Sequence, residues 1–267
     1  MVDRLRLVTK GALVVLISII SSMLTFVLHD LTTPVDFEKT GELSLLAQSI
    51  GAKATTILWG FTAFLLISVI FIVYEKNLSG SRARRAILFG GLTGATWVIE
   101  MMELDQSVAT LLMGLVDGGM VVVVCLLVAL LITPNRESDV KPLKVGSRDI
   151  FEICFIALTF GLYRLLFGLF LGNYFDGIGD YIVIPIYSVL MGVLWVFLKN
   201  MAGEGTYLSR AAKYSVFIWG VPSSIFMYFI AFCFANMFIG MTVRNSMDIL
   251  VMLLVTGFCL KKNKALV

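Results

Sequence analysis

Three residues carry charge where the surrounding sequence is almost wholly apolar: Glu100, Asp117 and Arg164. An ionisable group at bilayer depth is costly and is kept facing a partner or a cavity. Its chemistry is then one of three kinds: holding a cation or proton, holding an anionic group, or clamping two helices. Asp117 lies in Met113-Gly-Leu-Val-Asp-Gly-Gly-Met120. It falls about ten residues from the outer end of its apolar run, roughly 15 Å deep at 1.5 Å per residue, near the midplane. Gly114 and Gly118 form a G-x-x-x-G pair that lets a neighbouring helix come close. Two readings are open: a carboxylate that binds a cation or proton at a tight crossing, and a hydrogen-bonded packing aspartate. Arg164, in Gly161-Leu-Tyr-Arg-Leu-Leu-Phe-Gly168, lies about seven residues, roughly 10 Å, into its own run. Its side chain can snorkel most of that distance. Glu100 stands near the outer end of the third run, and Arg164 with Asp117 or Glu100 is the expected pair, as a clamp or as a site for an anionic group. Glu152 opens the fifth run, where a carboxylate suits a helix N-terminus.

The elements that must position these groups are membrane helices. Of the 267 residues, 59% are hydrophobic and 15% charged, and mean hydropathy is +0.95. Soluble domains carry about 25% charge, so a soluble enzyme, a nucleic-acid binder and a disordered chain are all poor readings. Each membrane helix needs roughly 20 apolar residues. Apolar runs fall at about 11–28, 54–74, 86–102, 107–132, 150–171, 181–198, 214–235 and 246–260, the last with an earlier start near Met237. The first run is too long for a signal peptide and lacks a small-residue cleavage motif. With the N-terminus inside, alternate connections and the two termini collect seventeen of the 21 basic residues. The outer connections hold Lys39, Lys53 and Arg244, and Arg164 is within a run. This positive-inside pattern predicts an all-α protein of eight spans in the plasma membrane with both termini cytoplasmic. The outer connections lean acidic, with Asp30, Asp36, Glu38, Glu42, Glu103, Asp105, Asp176 and Asp180.

Ser81-Arg-Ala-Arg-Arg-Ala-Ile-Leu-Phe89 and Ser209-Arg-Ala-Ala-Lys-Tyr-Ser-Val-Phe217 align at a spacing of 128 residues. That spacing sets the first four runs on the last four. It points to two parallel four-helix halves, 1–135 and 136–267, within one membrane domain, a plan that places sites between halves. The polar stretch from His29 to Lys53 includes Leu43–Ile50, which reads as a short interfacial helix or an early start to the second span. Pro185, Gly220 and Pro222 are expected to kink or break their helices.

Gly177-Ile-Gly-Asp180, followed by an apolar stretch, resembles the GxGD motif of the intramembrane aspartyl proteases related to signal peptide peptidase and presenilin. The resemblance implies a catalytic role for Asp180 beside a second aspartate that shares its proton. The Tyr-Asp pair and the proline-alanine-leucine motif of that family are missing, and charge counting puts Asp180 at the outer end, opposite to the family. No Walker, HExxH, G-x-S-x-G or CxxC motif occurs. Four cysteines, Cys125, Cys154, Cys233 and Cys259, sit in apolar runs and read as buried free thiols. One histidine, His29, makes no zinc or haem site alone, and neither metal nor cofactor is expected.

The functional expectation is a multipass permease-like protein, with a substrate or ion site near Asp117, Arg164 and Glu100 between the halves. Its substrate, a small molecule or ion, is unspecified, and nucleotide-driven energy would come from a separate ATPase. The alternative is a non-catalytic membrane subunit of a larger assembly, and the third reading is the aspartyl protease through Asp180.

Overall fold

The computed structural model describes residues 2–33, 41–135, 138, 140, 143–171 and 180–264. Among them the chain is all-helical, with isolated bridges but no strand. Eight of its helical stretches are long and apolar enough to cross a membrane. The helices are α1 (Val2–Thr32), a short α2 (Leu45–Ile50), α3 (Ala52–Tyr74), α4 (Arg82–Leu104), α5 (Val108–Leu131), α6 (Ser147–Leu171), α7 (Asp180–Leu198), α8 (Tyr207–Ala212), α9 (Val221–Cys233) and α10 (Phe238–Lys264). A π-helical segment, Lys213–Gly220, joins α8 to α9, and the three form one span. The eight spans coincide with the apolar runs to within a few residues at most ends. The last begins at Phe238, close to the earlier start. The seventh begins at Tyr207, seven residues ahead of its run.

Local sequence explains the ends. Ser81, Ser107 and Thr206 cap α4, α5 and α8, each accepting the backbone N–H three residues on, which satisfies a donor that the helix itself cannot. Gly220 ends the π-helical segment, and Pro222 sits in the first turn of α9, where its missing N–H costs nothing. Pro185, by contrast, lies inside α7. Leucines such as Leu158 and Leu254 stay exposed because in a bilayer the outer face meets lipid.

In the first half α1 packs on α3 and α5, and α4 on α5. In the second, α6 packs on α7 and α10, and α8–α9 on α10. Across the middle α3 meets α9, α7 meets α4, and α4 meets α9. The α1–α3 contact seats Ser22 against Gly60, where a Cβ would lie 2.6 Å from the Ser22 Oγ. The α6–α7 contact seats Ser188 against Gly161 at 3.0 Å, the serine and glycine having changed places.

Trp59, Trp97, Phe226 and Phe229 form the aromatic centre between α3, α4 and α9. Ring centroids lie 6.0 Å apart for Trp59–Trp97 and 4.8 Å for both Trp97–Phe226 and Trp59–Phe229. Buried indole N–H groups need acceptors. Trp97 donates to the Pro222 carbonyl at 2.9 Å and Trp59 to that of Ile225 at 2.7 Å. Both bonds fasten the first half to α9.

The tightest crossing joins α4 to α5. A Cβ on Gly94 would strike the backbone carbonyl of Gly118, and one on Gly118 that of Gly94. Gly119, one residue on, faces open space. Backbone cannot yield as a side-chain tip can, and overpacking costs about 1–3 kcal/mol. Gly94→Ala is therefore expected to lower the unfolding temperature of the purified protein clearly. Gly119→Ala should leave it unchanged or raise it slightly, since alanine favours the helix. Thermal unfolding in detergent reads both, and equal behaviour of the two variants would contradict this crossing.

Candidate functional site

Of the polar centres in the bundle interior, two hold the residues singled out above, and α4 stands next to both. The first is built on Asp117. Its position on α5, beside the glycine pair, turns the carboxylate toward α1, where His29 Nε2 stands 2.9 Å from Oδ1. Asp117 is buried and His29 largely so. His29 Nδ1 has no hydrogen-bond partner among the described residues. The pair borders a cavity of about 400 Å³ between α1, α3, α4, α5 and α9. Trp59, Phe226 and Phe229 wall it, with Met101 and Met113. Its rim carries Asp30, Glu42, Lys53 and Asp105. Hydrogen bonds from Ser107 and Thr110 hold the exposed Asp105 carboxyl below the usual carboxylate range, so it is ionised at neutral pH.

The rim is pinned to α9. Ser44 donates from its N–H to the Cys233 carbonyl and from its hydroxyl to Phe232, and Ala235 donates to Glu42. The short helix α2 follows at once, capped by Ser44, so the stretch Leu43–Ile50 holds a helix of its own.

The second centre holds Arg164. Its Nη2 donates to Asp248 Oδ2 at 2.7 Å and its Nη1 lies 3.4 Å from both oxygens of Glu103. Arg244 also bonds Glu103. The Arg164 guanidinium lies 5.3 Å from the Phe160 ring centre and 5.2 Å from that of Tyr187, within cation–π range. Glu100, one turn before Glu103, accepts hydrogen bonds on Oε1 from Tyr187, at 2.7 Å, and from Ser223. Glu100 Oε2 and Asp248 Oδ1 have no hydrogen-bond partner among the described residues. Three carboxylates thus face two guanidiniums across α4, α6, α7, α9 and α10.

The structure separates what the spacing suggested pairing. Arg164 reaches neither Asp117 nor Glu100 in a hydrogen bond or ion pair; its partners are Asp248 and Glu103, and Asp117 has His29. Glu103, read from sequence as a connecting residue, lies near the end of α4 and is half-buried; Arg244, counted with an outer connection or, on the earlier start, in the outer turns of the last helix, lies inside α10 and is buried, paired with Glu103. Glu152 is also buried. It accepts from Trp195 Nε1 at 2.8 Å and from Lys199 at 2.9 Å, a tie between α6 and the end of α7. Asp180 starts α7, but its side chain and Gly177–Gly179 lie outside the described residues, as do Asp36, Glu38 and Asp176. Cys154 is exposed on α6 instead of buried, while the other three cysteines are buried. No group of three His, Cys, Asp or Glu residues among those described is placed to hold a metal ion.

Sequence reading did not place His29, Ser223 or Tyr187 in a site, and it set Asp248 in the outer turns of the last helix without a partner. His29 had a usable signal, a titratable group in the last turn of an apolar run. Ser223 and Tyr187 had none, because a single hydroxyl in a span is ordinary.

Removing Arg164 would leave Glu103 and Asp248 short of a partner in a low-dielectric interior. Breaking a buried pair from one side costs about 3–5 kcal/mol. Arg164→Met is expected to destabilise strongly, and adding Asp248→Leu to recover a good part of the loss. Thermal unfolding of the single and double variants checks this; no recovery in the double variant would mean that the pair is not the coupling. The chain matches no protein-family model, no curated protein and no solved structure, so its function has to follow from the chemistry of these residues.

Proposed function

We propose that this protein is a permease-like carrier whose substrate occupies the cavity beside His29 and Asp117. The observation that supports this is the cavity itself: about 400 Å³, walled by aromatic and methionine side chains, with a buried titratable pair along one wall. Ligand sites are of this kind, mostly apolar with a few convergent polar groups. The Arg164 network serves as the clamp that joins the halves, tying α4 to α6 and α10.

The carrier sits in the plasma membrane with both termini cytoplasmic and the cavity mouth outside, on the strength of basic residues concentrated in alternate connections. Its halves, 1–135 and 136–267, are parallel repeats about a pseudo-two-fold along the membrane normal. Three observations favour this: the recurring helix pairing, the serine-on-glycine contact found in both halves, and the 3₁₀ turns Glu75–Asn77 and Lys199–Ala202 that follow α3 and α7.

A specific observation favours a second reading, a membrane subunit of a larger assembly. The span Ser147–Leu169 is the least buried of the eight, leaving Leu158, Leu162 and Leu166 free to meet another protein.

A carrier must present its site to both sides in turn; a subunit need not. Met113→Cys, in a chain with the four native cysteines replaced, should react with a membrane-impermeant maleimide from outside the cell and, more slowly, in inside-out vesicles. Labelling from one side under every condition would favour the subunit reading, as would stoichiometric partners after gentle solubilisation. Asp117→Asn should abolish substrate movement while leaving the protein monodisperse, and normal movement would remove Asp117 from the site.

A further inference from the structure

The charges around the cavity are unequal. Among the described residues its lining holds four carboxylates, Asp30, Glu42, Asp105 and Asp117, against Lys53 and His29. Lys53 is spoken for in part by Asp30, at 3.9 Å in an exposed pair. Even with His29 protonated, the lining keeps an excess of negative charge. Asp117, its side chain nearly excluded from solvent, shares the lining with the aromatic faces of Trp59, Phe226 and Phe229. The indole N–H of Trp59 is turned away, engaged with the Ile225 carbonyl, so this ring offers the cavity carbon surface and not a donor.

We propose that the cavity binds a lipophilic monovalent cation, its charge set against Asp117 and its apolar groups against Trp59, Phe226 and Phe229. This deepens the permease reading and rests on it for the site, though binding can be measured without movement. Aromatic faces attract cations through the negative face of the ring, most strongly where water is excluded. The methionines suit occupants of varied shape, since an unbranched thioether chain repacks easily. A small, strongly hydrated inorganic ion makes poor use of the walls, because Trp59, Phe226, Phe229, Met101 and Met113 offer it nothing to replace its water. An organic anion would meet the carboxylate excess at the rim and again at Asp117.

Tetraphenylphosphonium and tetraphenylborate have nearly the same shape and opposite charge, so the pair isolates the sign of the ligand. Binding of each to the purified full-length protein is measured by calorimetry and by quenching of tryptophan fluorescence. Tetraphenylphosphonium is expected to bind saturably, and tetraphenylborate at least about tenfold more weakly. Asp117→Asn should weaken the cation by about tenfold or more, as losing one side of a buried charge contact does. Phe229→Ala should weaken it about threefold or more, in the range of a single cation–π contact. The wild-type comparison needs no variant to fold. Equal or stronger binding of tetraphenylborate overturns the proposal, and so does the absence of tetraphenylphosphonium binding to monodisperse protein. Tetraphenylphosphonium binding with one-sided maleimide labelling of Met113→Cys would leave this inference standing and end the carrier reading. Two-sided labelling without cation binding would do the reverse.

Discussion

Inside a bilayer no water is at hand to pair with a buried donor or acceptor, so each must find a partner within the bundle. In this protein α4 is where most of that pairing happens. It is the least apolar of the eight spans. It can be so because it lies between both halves, against α5, α7 and α9, where lipid does not reach its polar face. Trp97 gives its N–H to Pro222, Glu100 takes hydroxyls from Tyr187 and Ser223, and Glu103 takes both arginines. These residues stand at three-residue intervals, so they form a single stripe along the helix. Removing the stripe would leave α4 with mainly apolar contact to α6, α7, α9 and α10, which in lipid gives little preference for one helix neighbour over another.

The neighbouring face of α4 obeys a different constraint. Gly90, Gly94 and the α5 pair Gly114 and Gly118 bring the two backbones together closely enough that no side chain fits between. That closeness holds α5 in register with α4 and so fixes where Asp117 emerges. The carboxylate consequently meets α1 and not α6. The separation of the two polar centres is thus a consequence of glycine placement as much as of charge.

Length and apolarity were enough to read the eight spans, because the signal is summed over roughly twenty residues at a time. The close crossing at Gly114 and Gly118 was also legible, since small residues at a four-residue spacing mean one thing on a membrane helix. Partners were not. Arg164 binds Asp248, 84 residues on, and no local pattern reveals a contact of that range. Glu103 and Arg244 look like connecting residues because each stands just outside an apolar run; their helices include them, and the two charges pair. His29 shows the same blindness from the other side: it was visible in the sequence as a lone histidine, and its meaning depended on a carboxylate three spans along the chain.

On the pseudo-two-fold proposed above, the difference between the halves becomes a physical one. Setting Ser22 on Gly161 and Gly60 on Ser188 brings Thr25 onto Arg164 and Trp59 onto Tyr187. In the second half the guanidinium fills the space between α6 and α10 and draws carboxylates from α4 and α10 around itself. In the first half the equivalent residue is a threonine whose hydroxyl is satisfied within α1 by the Ser21 carbonyl. It is small and reaches for nothing, so the space beside it remains open as the cavity. Trp59 and Tyr187 each extend from the second helix of one half to the third span of the other, the indole to Ile225 and the phenol to Glu100. One scaffold on this reading supports two interiors, the first left open as a cavity and the second closed by its own charges.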